Sequence, residues 1–530
     1  MRANRFTHAV ATVSGLTGLS RILGFVRDQM LGAFIGPGLI LDAWQAAFAV
    51  PNAFRRLFAE GAMSAAFVPM LRDHLSGQNR DGLSRKSRTE GAGKIRSEEE
   101  GKQFAHAAFS FLLLILMPLI GLMILAMPWI MDLITGFDPD SEARRLAIFF
   151  GRIMLPYLLL MSLMALVGGV LDALGRFAAK ALAPTMLNVI FIGVLFSVYR
   201  WDLAPGSWLS WATLVAGFAQ LLVVWIPAAQ LGWAPALTWP RGMRPFLGRM
   251  IPGLIANGGY QISFLVVMSL ASSVEQDLSH RYFADRLYQL PLGLIGIALN
   301  TVLLSSLSNL IVQNRMDAAR GQLNRALELS LILSIPITAA CLFVGSFLFE
   351  GLFQYRAFSA EDTRGAALAL YGFAFGIPAA VGQKVLQPAF FAQQNTRDPM
   401  LHSLASVVVA VGFSYGLYPS FGLFGLCLAA SISSWFGFFS LAVHLNILRY
   451  FQPDHRVLIR LLPMILAAGL MILALKAGMT LIGDFDGLIY WVRMPLTLMF
   501  IALAAGLYFG FAFVFGAFDK ADLQKLRRQD

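Results

Sequence analysis

The stretch Phe104–Met131, FAHAAFSFLLLILMPLIGLMILAMPWIM, decides the fold class, because it contains no Asp, Glu, Lys or Arg. An α-helix rises ~1.5 Å per residue, so about 20 apolar residues cross the hydrocarbon core of a membrane. Similar runs recur along all 530 residues, which are 57% hydrophobic and only 13% charged, whereas soluble domains are about 25% charged. The sequence therefore predicts an all-α, polytopic membrane protein without a sizeable soluble domain.

Windows of low charge predict about 14 transmembrane helices. They lie at residues 9–34, 39–71, 104–131, 146–171, 181–199, 206–232 and 250–272, and then at 283–312, 329–349, 365–392, 399–417, 421–448, 457–482 and 489–517. If the first span starts inside, basic loops such as Arg241–Arg249 fall in the cytoplasm, as expected for membrane proteins, and acidic loops such as Asp132–Glu142 fall outside. Both termini are then cytoplasmic, and we interpret the amino-terminal span as retained.

One connection differs from the others in composition. Ser76–Lys102 reads SGQNRDGLSRKSRTEGAGKIRSEEEGK, which is polar, rich in glycine and mixed in charge. Such composition predicts disorder. We expect a cytoplasmic linker here, with a regulatory or partner-binding role as the alternative.

Several classes of function lack a sequence signature. The net charge of +11 is dispersed through short loops, which does not favour a nucleic-acid partner. Cys341 and Cys427 lie in apolar runs and form no metal-binding or disulfide pattern. No HExxH, GxSxG or GxxxxGK[ST] motif is present, so the sequence predicts no catalytic residues and identifies no metal ligands. A transporter is favoured over an enzyme.

Charged residues concentrate in the first two predicted spans. A charge at the centre of a bilayer costs ~2.5–3.5 kcal/mol on the insertion scale, so these side chains are expected to face the protein interior. They are Arg21, Arg27, Asp28, Asp42, Arg55, Arg56 and Glu60.

Helical geometry gives two interpretations of these charges. Arg21 and Asp28 are seven residues apart and share a helix face, whereas Arg27 points about 100° away from Asp28. Arg56 and Glu60 have the i, i+4 spacing of a helical ion pair, which leaves Arg55 as the freer cation. A network that neutralises itself and fixes packing is one interpretation. The other is an anion site, because guanidinium groups donate paired hydrogen bonds to phosphate.

Five stretches carry a resemblance to a known family. The longest, SRILGFVRDQMLGAFIGPGLILDAWQAAFAVPNAFRRLFAEGAMSAAFVP, runs from Ser20 to Pro69. The others are GRFAAKALAPTMLNV at 175–189, YFADRLYQLPLGLIGIALNTVLLSSLS at 282–308, LFQYRAF at 352–358 and KVLQPAFFAQQNTRDP at 384–399. Over essentially its whole length, the chain resembles the MurJ (MviN) lipid II flippases of the multidrug/oligosaccharidyl-lipid/polysaccharide (MOP) exporter superfamily.

The resemblance implies two six-helix lobes around a central cavity, followed by two helices that form a groove for a lipid tail. We expect residues 1–246 and 247–450 to be the lobes, and 451–530 to hold the last two spans and a cytoplasmic tail. The implied activity moves lipid II, an undecaprenyl-pyrophosphate-linked peptidoglycan precursor, across the bacterial inner membrane by alternating access. The implied partners are lipid II, membrane lipids and cell-wall synthesis proteins. No cofactor is implied, and the driving force is sodium, protons or the membrane potential.

The family's cavity residues correspond to particular positions of this sequence. Arg21, Arg27, Arg55 and Arg286 correspond to cavity arginines, and Asp42 to a further functional position. Ser20, Asp28 and Glu60 are additional candidates. Gln289 departs from the family, in which several relatives have Glu, so a charge-dependent role is not expected there. The alternative functions are export of another polyprenyl-linked oligosaccharide and a non-transporting scaffold for cell-wall enzymes.

Overall fold

The computed structural model describes residues 2–56, 63–76, 90–482, 485 and 487–518. These residues form α-helices, one π-helical turn and connecting loops, with no β-strand among them. The all-α fold class is thereby confirmed. The chain divides into two compact units, Met1–Gln261 and Ile262–Asp530.

Nine helices and the greater part of a tenth make up the first unit. They are α1 (Arg2–Phe34), α2 (Leu39–Arg55), α3 (Met63–Ser76), α4 (Glu90–Leu125), α5 (Met127–Ile134), α6 (Glu142–Met154), α7 (Tyr157–Ala173), α8 (Ala178–Trp201), α9 (Pro205–Gln230) and α10 (Arg244–Ala271).

Helix α7 lies in the centre of the first unit. Nearly all of its side chains are buried, including Leu158, Leu166 and Val167 at 0% exposure. It packs closely against α9, because a Cβ atom added to Gly217 of α9 would lie only 2.8 Å from the Tyr157 ring. An apolar helix that is buried on all sides is typical of the interior of a large helical protein.

The second unit contains the remaining helices. They are α11 (Asp277–Pro291), a π-helical turn (Leu292–Gly296), α12 (Ile297–Val312), α13 (Met316–Leu352), α14 (Ala360–Ala374), α15 (Ile377–Phe391), α16 (Arg397–Ile447), α17 (His455–Ile482) and α18 (Tyr490–Val514).

Helix α16 contains a break close to the point at which the sequence predicts the boundary between two spans. Its 51 residues are interrupted at Gly422, where φ is 53° and ψ is −138°. A straight helix of this length would extend ~77 Å, more than twice the thickness of the hydrocarbon core. Glycine tolerates a positive φ because it has no Cβ atom. The sequence predicted two spans here, 399–417 and 421–448, and the break lies at the second residue of the later one.

The structure supports many membrane crossings. Within the described ranges, 8 helices are long and apolar enough to cross a membrane, or up to 9 if α14 and α15, which meet at a 44° bend, form one span. Where the structure describes them, the predicted spans each overlap one or more of the helices. The chain is therefore an integral membrane protein, whereas the count of fourteen and the lobe boundaries stay predictions.

The prediction of disorder as far as Lys102 is wrong for its second part. Helix α4 begins at Glu90, while residues 77–89 lie outside the described ranges. Gly101 is buried beside Leu75 and Trp233, and the Lys102 ammonium lies 5.4 Å from the centre of the Trp233 ring. Helix α4 therefore includes the polar residues before its apolar part. Tertiary contacts order this segment although its composition favours disorder.

Candidate functional site

The clearest polar cluster in the first unit is centred on Arg27 of α1. Its Nε and Nη2 atoms donate to Oδ1 of Asp28 at 3.0 and 2.7 Å. Its Nη1 atom donates to Oδ1 of Asn188, on α8, at 3.0 Å. Asp28 is only 4% exposed. The guanidinium group is therefore held on two sides, by a buried carboxylate and by an amide of another helix.

This geometry corrects one sequence-based interpretation. The Cα–Cβ directions of Arg27 and Asp28 were expected to diverge by about 100°. The two side chains nevertheless form an ion pair of 2.7 Å, because the long arginine side chain curves back to its neighbour. Arg21, expected on the same face as Asp28, is exposed on α1.

Asn188 links α8 to α1 by a second contact. Its Nδ2 atom donates to the backbone oxygen of Ser20 at 2.8 Å and lies 3.4 Å from the Ser20 hydroxyl. A Cβ atom added to Gly24 would lie 3.6 Å from the Asn188 amide, so the helices approach closely at this point. Ser20, a candidate from the resemblance, is thus joined to Arg27 through Asn188, a residue that the sequence reasoning did not select.

An aromatic wall lies beside the cluster. The Arg27 guanidinium carbon is 5.9 Å from the centre of the Phe191 ring, on α8. Phe191 also contacts Trp44 of α2, with ring centres 5.8 Å apart in an edge-on arrangement. Positive charge over an aromatic face is stabilising, and an apolar surround strengthens electrostatic interactions. The site combines a positive group with a partly dehydrated environment.

Helix α2 carries the next candidates. Arg55 donates from Nε and Nη2 to Oδ1 of Asn52 at 3.1 and 3.0 Å. The guanidinium group of Arg55 is therefore held by an amide one helical turn earlier on α2. A neutral amide leaves its positive charge intact. The predicted partner of Arg56, Glu60, lies outside the described residues, so that pairing stays a prediction.

Asp42 occupies the first turn of α2. It is 2% exposed, and its backbone N–H donates to the Gly38 carbonyl oxygen at 2.9 Å. An acidic side chain at this position is favoured by the partial positive charge of a helix amino terminus. Asp42 is thus placed to stabilise the start of α2.

The charges of the first two helices do not cancel within the described part of the two spans. The described part of the two spans contains four arginines, Arg21, Arg27, Arg55 and Arg56, and two carboxylates, Asp28 and Asp42. The formal excess is two positive charges. Even with Glu60 counted from the sequence, one positive charge remains. Arg21, however, is exposed, and without it the other three arginines are equal in number to Asp28, Asp42 and Glu60.

Arg286 lies on α11 in the second unit. Its guanidinium carbon lies 4.3 Å from the centre of the Tyr282 ring, one turn earlier on α11. Gln289, the position that departs from the family, donates to the Asp285 carboxylate. The amide therefore has a local structural partner on its own helix. Among the residues that the structure describes, no group of three or more His, Cys, Asp and Glu side chains is arranged to hold a metal ion.

Two solved structures of membrane transporters share the fold of this chain. One described as lipid II flippase MurJ in an inward closed conformation has a TM-score of 0.77 at 23% identity, covering 95% of this chain and 98% of its own. An inward-facing multidrug resistance MATE family transporter of the MOP superfamily has a TM-score of 0.66 at 15% identity, covering 82% and 94%. The fold is that of the MOP superfamily of membrane transporters.

Sequence comparison gives the family within that class. The family described as lipid II flippase MurJ matches residues 31–515. A probable lipid II flippase MurJ of Rhizobium meliloti is 34% identical, covering 98% of this chain and 95% of its own. The lipid II flippase MurJ of Burkholderia cenocepacia is 31% identical, covering 96% and 97%. The chain belongs to the MurJ family of lipid II flippases.

Proposed function

We propose that this protein is a lipid II flippase, which moves the undecaprenyl-pyrophosphate-linked peptidoglycan precursor from the cytoplasmic to the outer leaflet of the inner membrane. Membership of the MurJ family and the names of its relatives support this substrate. The observation that carries the mechanism is the guanidinium group of Arg27, which Asp28 and Asn188 hold in place beside the Phe191 ring.

The arginines bind the pyrophosphate of the substrate. A planar guanidinium group donates two parallel hydrogen bonds to phosphate and keeps its charge when water is removed. Asp28 and Asn188 occupy part of the hydrogen-bonding capacity of Arg27 and thereby orient it. The hold is reversible because the phosphates compete with a neighbouring carboxylate for the same nitrogen atoms.

Translocation proceeds by alternating access, in which the binding site opens in turn to each side of the membrane. No bond is made or broken, so the lipid leaves chemically unchanged. With both termini in the cytoplasm, the membrane potential favours outward movement of the anionic headgroup by ~2.3 kcal/mol per charge per 100 mV. Lipid II and the surrounding membrane lipids are the proposed partners.

A second candidate is export of another polyprenyl-linked oligosaccharide. Such a substrate presents the same pyrophosphate, so the arginines serve it equally well. Export of cationic drugs is disfavoured, because the excess charge in the first two helices is positive. A scaffold without transport needs paired charges for packing but no surplus.

Growth of cells depleted of their own flippase tests this proposal. Arg27→Ala should abolish growth support at normal abundance of the protein in the membrane. Arg56→Ala is the matched variant and should be milder, because Arg56 is predicted to pair mainly with Glu60. Normal growth with Arg27→Ala would contradict the anion site. Rescue by the native chain together with export of a different lipid-linked glycan would favour the second candidate.

A further inference from the structure

A buried ion pair joins α17 to α13 in the second unit. Glu328 of α13 is 6% exposed and Arg460 of α17 is 7% exposed. Nη1 of Arg460 donates to Oε1 of Glu328. Arg456, one turn earlier on α17, places its Nε atom 3.6 Å from the other carboxylate oxygen. One carboxylate thus faces two guanidinium groups at the start of α17.

Arg460 lies where an apolar residue would otherwise be expected. Buried Met464, Ala467 and Met471 follow it on α17 at i+4, i+7 and i+11, so the four residues form one stripe. The apolar members of this stripe pack into a cluster with Ile332 and Phe347 of α13. A purely apolar stripe fits its partner helix in more than one register. A buried polar group in such a stripe selects a single register.

The connection before α17 also forms hydrogen bonds with α13, close to the ion pair. Asn324, one turn before Glu328, donates from Nδ2 to the Gln452 carbonyl oxygen at 2.8 Å. Its Oδ1 atom accepts from the Asp454 backbone N–H at 3.1 Å. Asn324 and Glu328 therefore hold the start of α17 through both backbone and side-chain contacts.

Helix α18 is attached to the other end of α13 by a buried arginine and a tyrosine that donate to backbone carbonyl oxygens. Arg493 is 7% exposed, and its Nη2 atom donates to the Gln354 carbonyl oxygen, just beyond α13, at 2.7 Å. The Tyr490 hydroxyl donates to the Leu352 carbonyl oxygen at 3.1 Å. Thr497 packs so closely on Gly351 that an added Cβ atom would overlap its hydroxyl.

We infer that Arg460 and Arg493 are positioning residues, which fix α17 and α18 to opposite ends of α13 and so place this pair of helices in one register. The outer surface of the pair is apolar, with Leu462 and Leu473 62% and 65% exposed. Its role in translocation rests on the proposed function: a correctly placed α17–α18 pair guides the lipid tail while the headgroup crosses. The inference predicts that Arg460 affects the rate of translocation and leaves headgroup binding unchanged.

The register is measured by distances between two spin labels. Gly321 of α13 accepts a label, because an added Cβ atom meets nothing within 4 Å there, and Leu458 of α17 is 61% exposed. The native chain should give one narrow distance. Glu328→Gln and Arg460→Met should broaden it or shift it by up to about 10 Å, which is one heptad of helix rise. Arg325→Met is the matched control, because Arg325 is an exposed arginine on α13, and should leave the distance unchanged.

A variant in which the charges of residues 328 and 460 are exchanged still tests the inference if the single variants are not produced in sufficient amount. Because Arg456 also lies 3.6 Å from the Glu328 carboxylate, it is replaced as well. The Glu328→Arg, Arg456→Gln, Arg460→Glu variant should recover the narrow distance, because the pair is restored in reverse with no second arginine beside the new one. A native distance in both single variants would overturn the inference, as would failure of the exchanged chain to recover it.

Transport then tests the link to function. Arg460→Met should lower the rate of lipid II translocation about tenfold, the effect of ~1.4 kcal/mol on a barrier, with headgroup affinity unchanged. Equal losses of affinity and rate would contradict a positioning role. If the native chain moves no lipid II, the proposed function fails, while the spin-label distances still decide the inference.

Discussion

Asn188→Ala is the substitution that most sharply examines the geometry around Arg27. It removes the acceptor for Arg27 Nη1 at 3.0 Å and the donor to the Ser20 carbonyl at 2.8 Å. A hydrogen bond to a charged group contributes ~1.5–3 kcal/mol in soluble proteins, whereas contacts between membrane helices average ~0.6 kcal/mol. Two contacts together give about 2 kcal/mol, or about a 30-fold smaller population of the correctly oriented guanidinium group.

Asn188→Asp separates the two interpretations of the charge cluster. The aspartate keeps an acceptor for Arg27 but, like alanine, loses the donor to the Ser20 carbonyl oxygen. It also places a second carboxylate beside a guanidinium group that Asp28 already neutralises. If Arg27 binds an anion, the added negative charge should harm transport more than Asn188→Ala does. If Arg27 only fixes packing, a stronger ion pair should make Asn188→Asp the milder change.

The assay is growth of flippase-depleted cells together with binding of lipid II to purified protein, both normalised to abundance in the membrane. We expect the order native, Asn188→Ala, Asn188→Asp, from most to least active. The thermal midpoint in detergent should fall for Asn188→Ala and recover at least partly for Asn188→Asp. Growth and binding of Asn188→Asp at or above the native level would refute the anion site.

Three further expectations concern other parts of the molecule. Burial raises the pKa of the Asp277 carboxyl to about 6, against the opposing effects of His280 and of the Tyr418 hydroxyl. The contribution of Asp277 to stability is therefore present below its ordinary pKa of 3.8 and is lost as the pH rises through 6. Asp277→Asn should accordingly make the thermal midpoint less dependent on pH between these two values. Gly206→Ala should destabilise the first unit by about 1–3 kcal/mol, seen as a lower midpoint in detergent, because its Cβ atom would lie 2.2 Å from the Phe150 ring; an unchanged midpoint would contradict this packing. Deletion of residues 78–88 should leave growth intact. A longer deletion that extends to residue 102 removes the beginning of α4 and should lower the abundance of the protein. Equal tolerance of the two deletions would contradict the contacts around Gly101.

The pattern of spans was predictable from sequence because lipid selects apolar residues along the full length of a crossing helix. Within the described ranges, each predicted span overlaps one or more helices. The sequence also predicted that α16 is divided, although the break at Gly422 lies just inside the second of its two predicted spans. The polar linker was misjudged beyond Glu90, because composition does not report contacts such as that of Lys102 with Trp233.

The charged candidates were identifiable because a charge in a membrane is costly and therefore conspicuous. Their partners were not. Arg27 and Asp28 pair through the flexibility of a long side chain, which helix periodicity does not represent. Asn188 is neutral, so the search for charge passed over it, although an amide within the apolar span 181–199 is itself a signal that the fold needs hydrogen bonds there.

The ion pair between Glu328 and Arg460 was missed for a different reason. Glu328 directly precedes the predicted span 329–349, and Arg460 lies near the start of 457–482. Charged side chains at the ends of spans ordinarily reach the headgroup region, so their presence does not indicate a buried pair. Only the packing of α17 on α13 shows that both side chains are buried.

The arginine site is tested by translocation of labelled lipid II in proteoliposomes at an imposed membrane potential, comparing the native chain, Arg27→Ala and a lipid that lacks the pyrophosphate. We expect the native chain to transport lipid II chemically unchanged, and we expect transport to be lost both with Arg27→Ala and with the pyrophosphate-free lipid. Equal transport of the two lipids, or native rates with Arg27→Ala, would contradict an arginine site for the pyrophosphate.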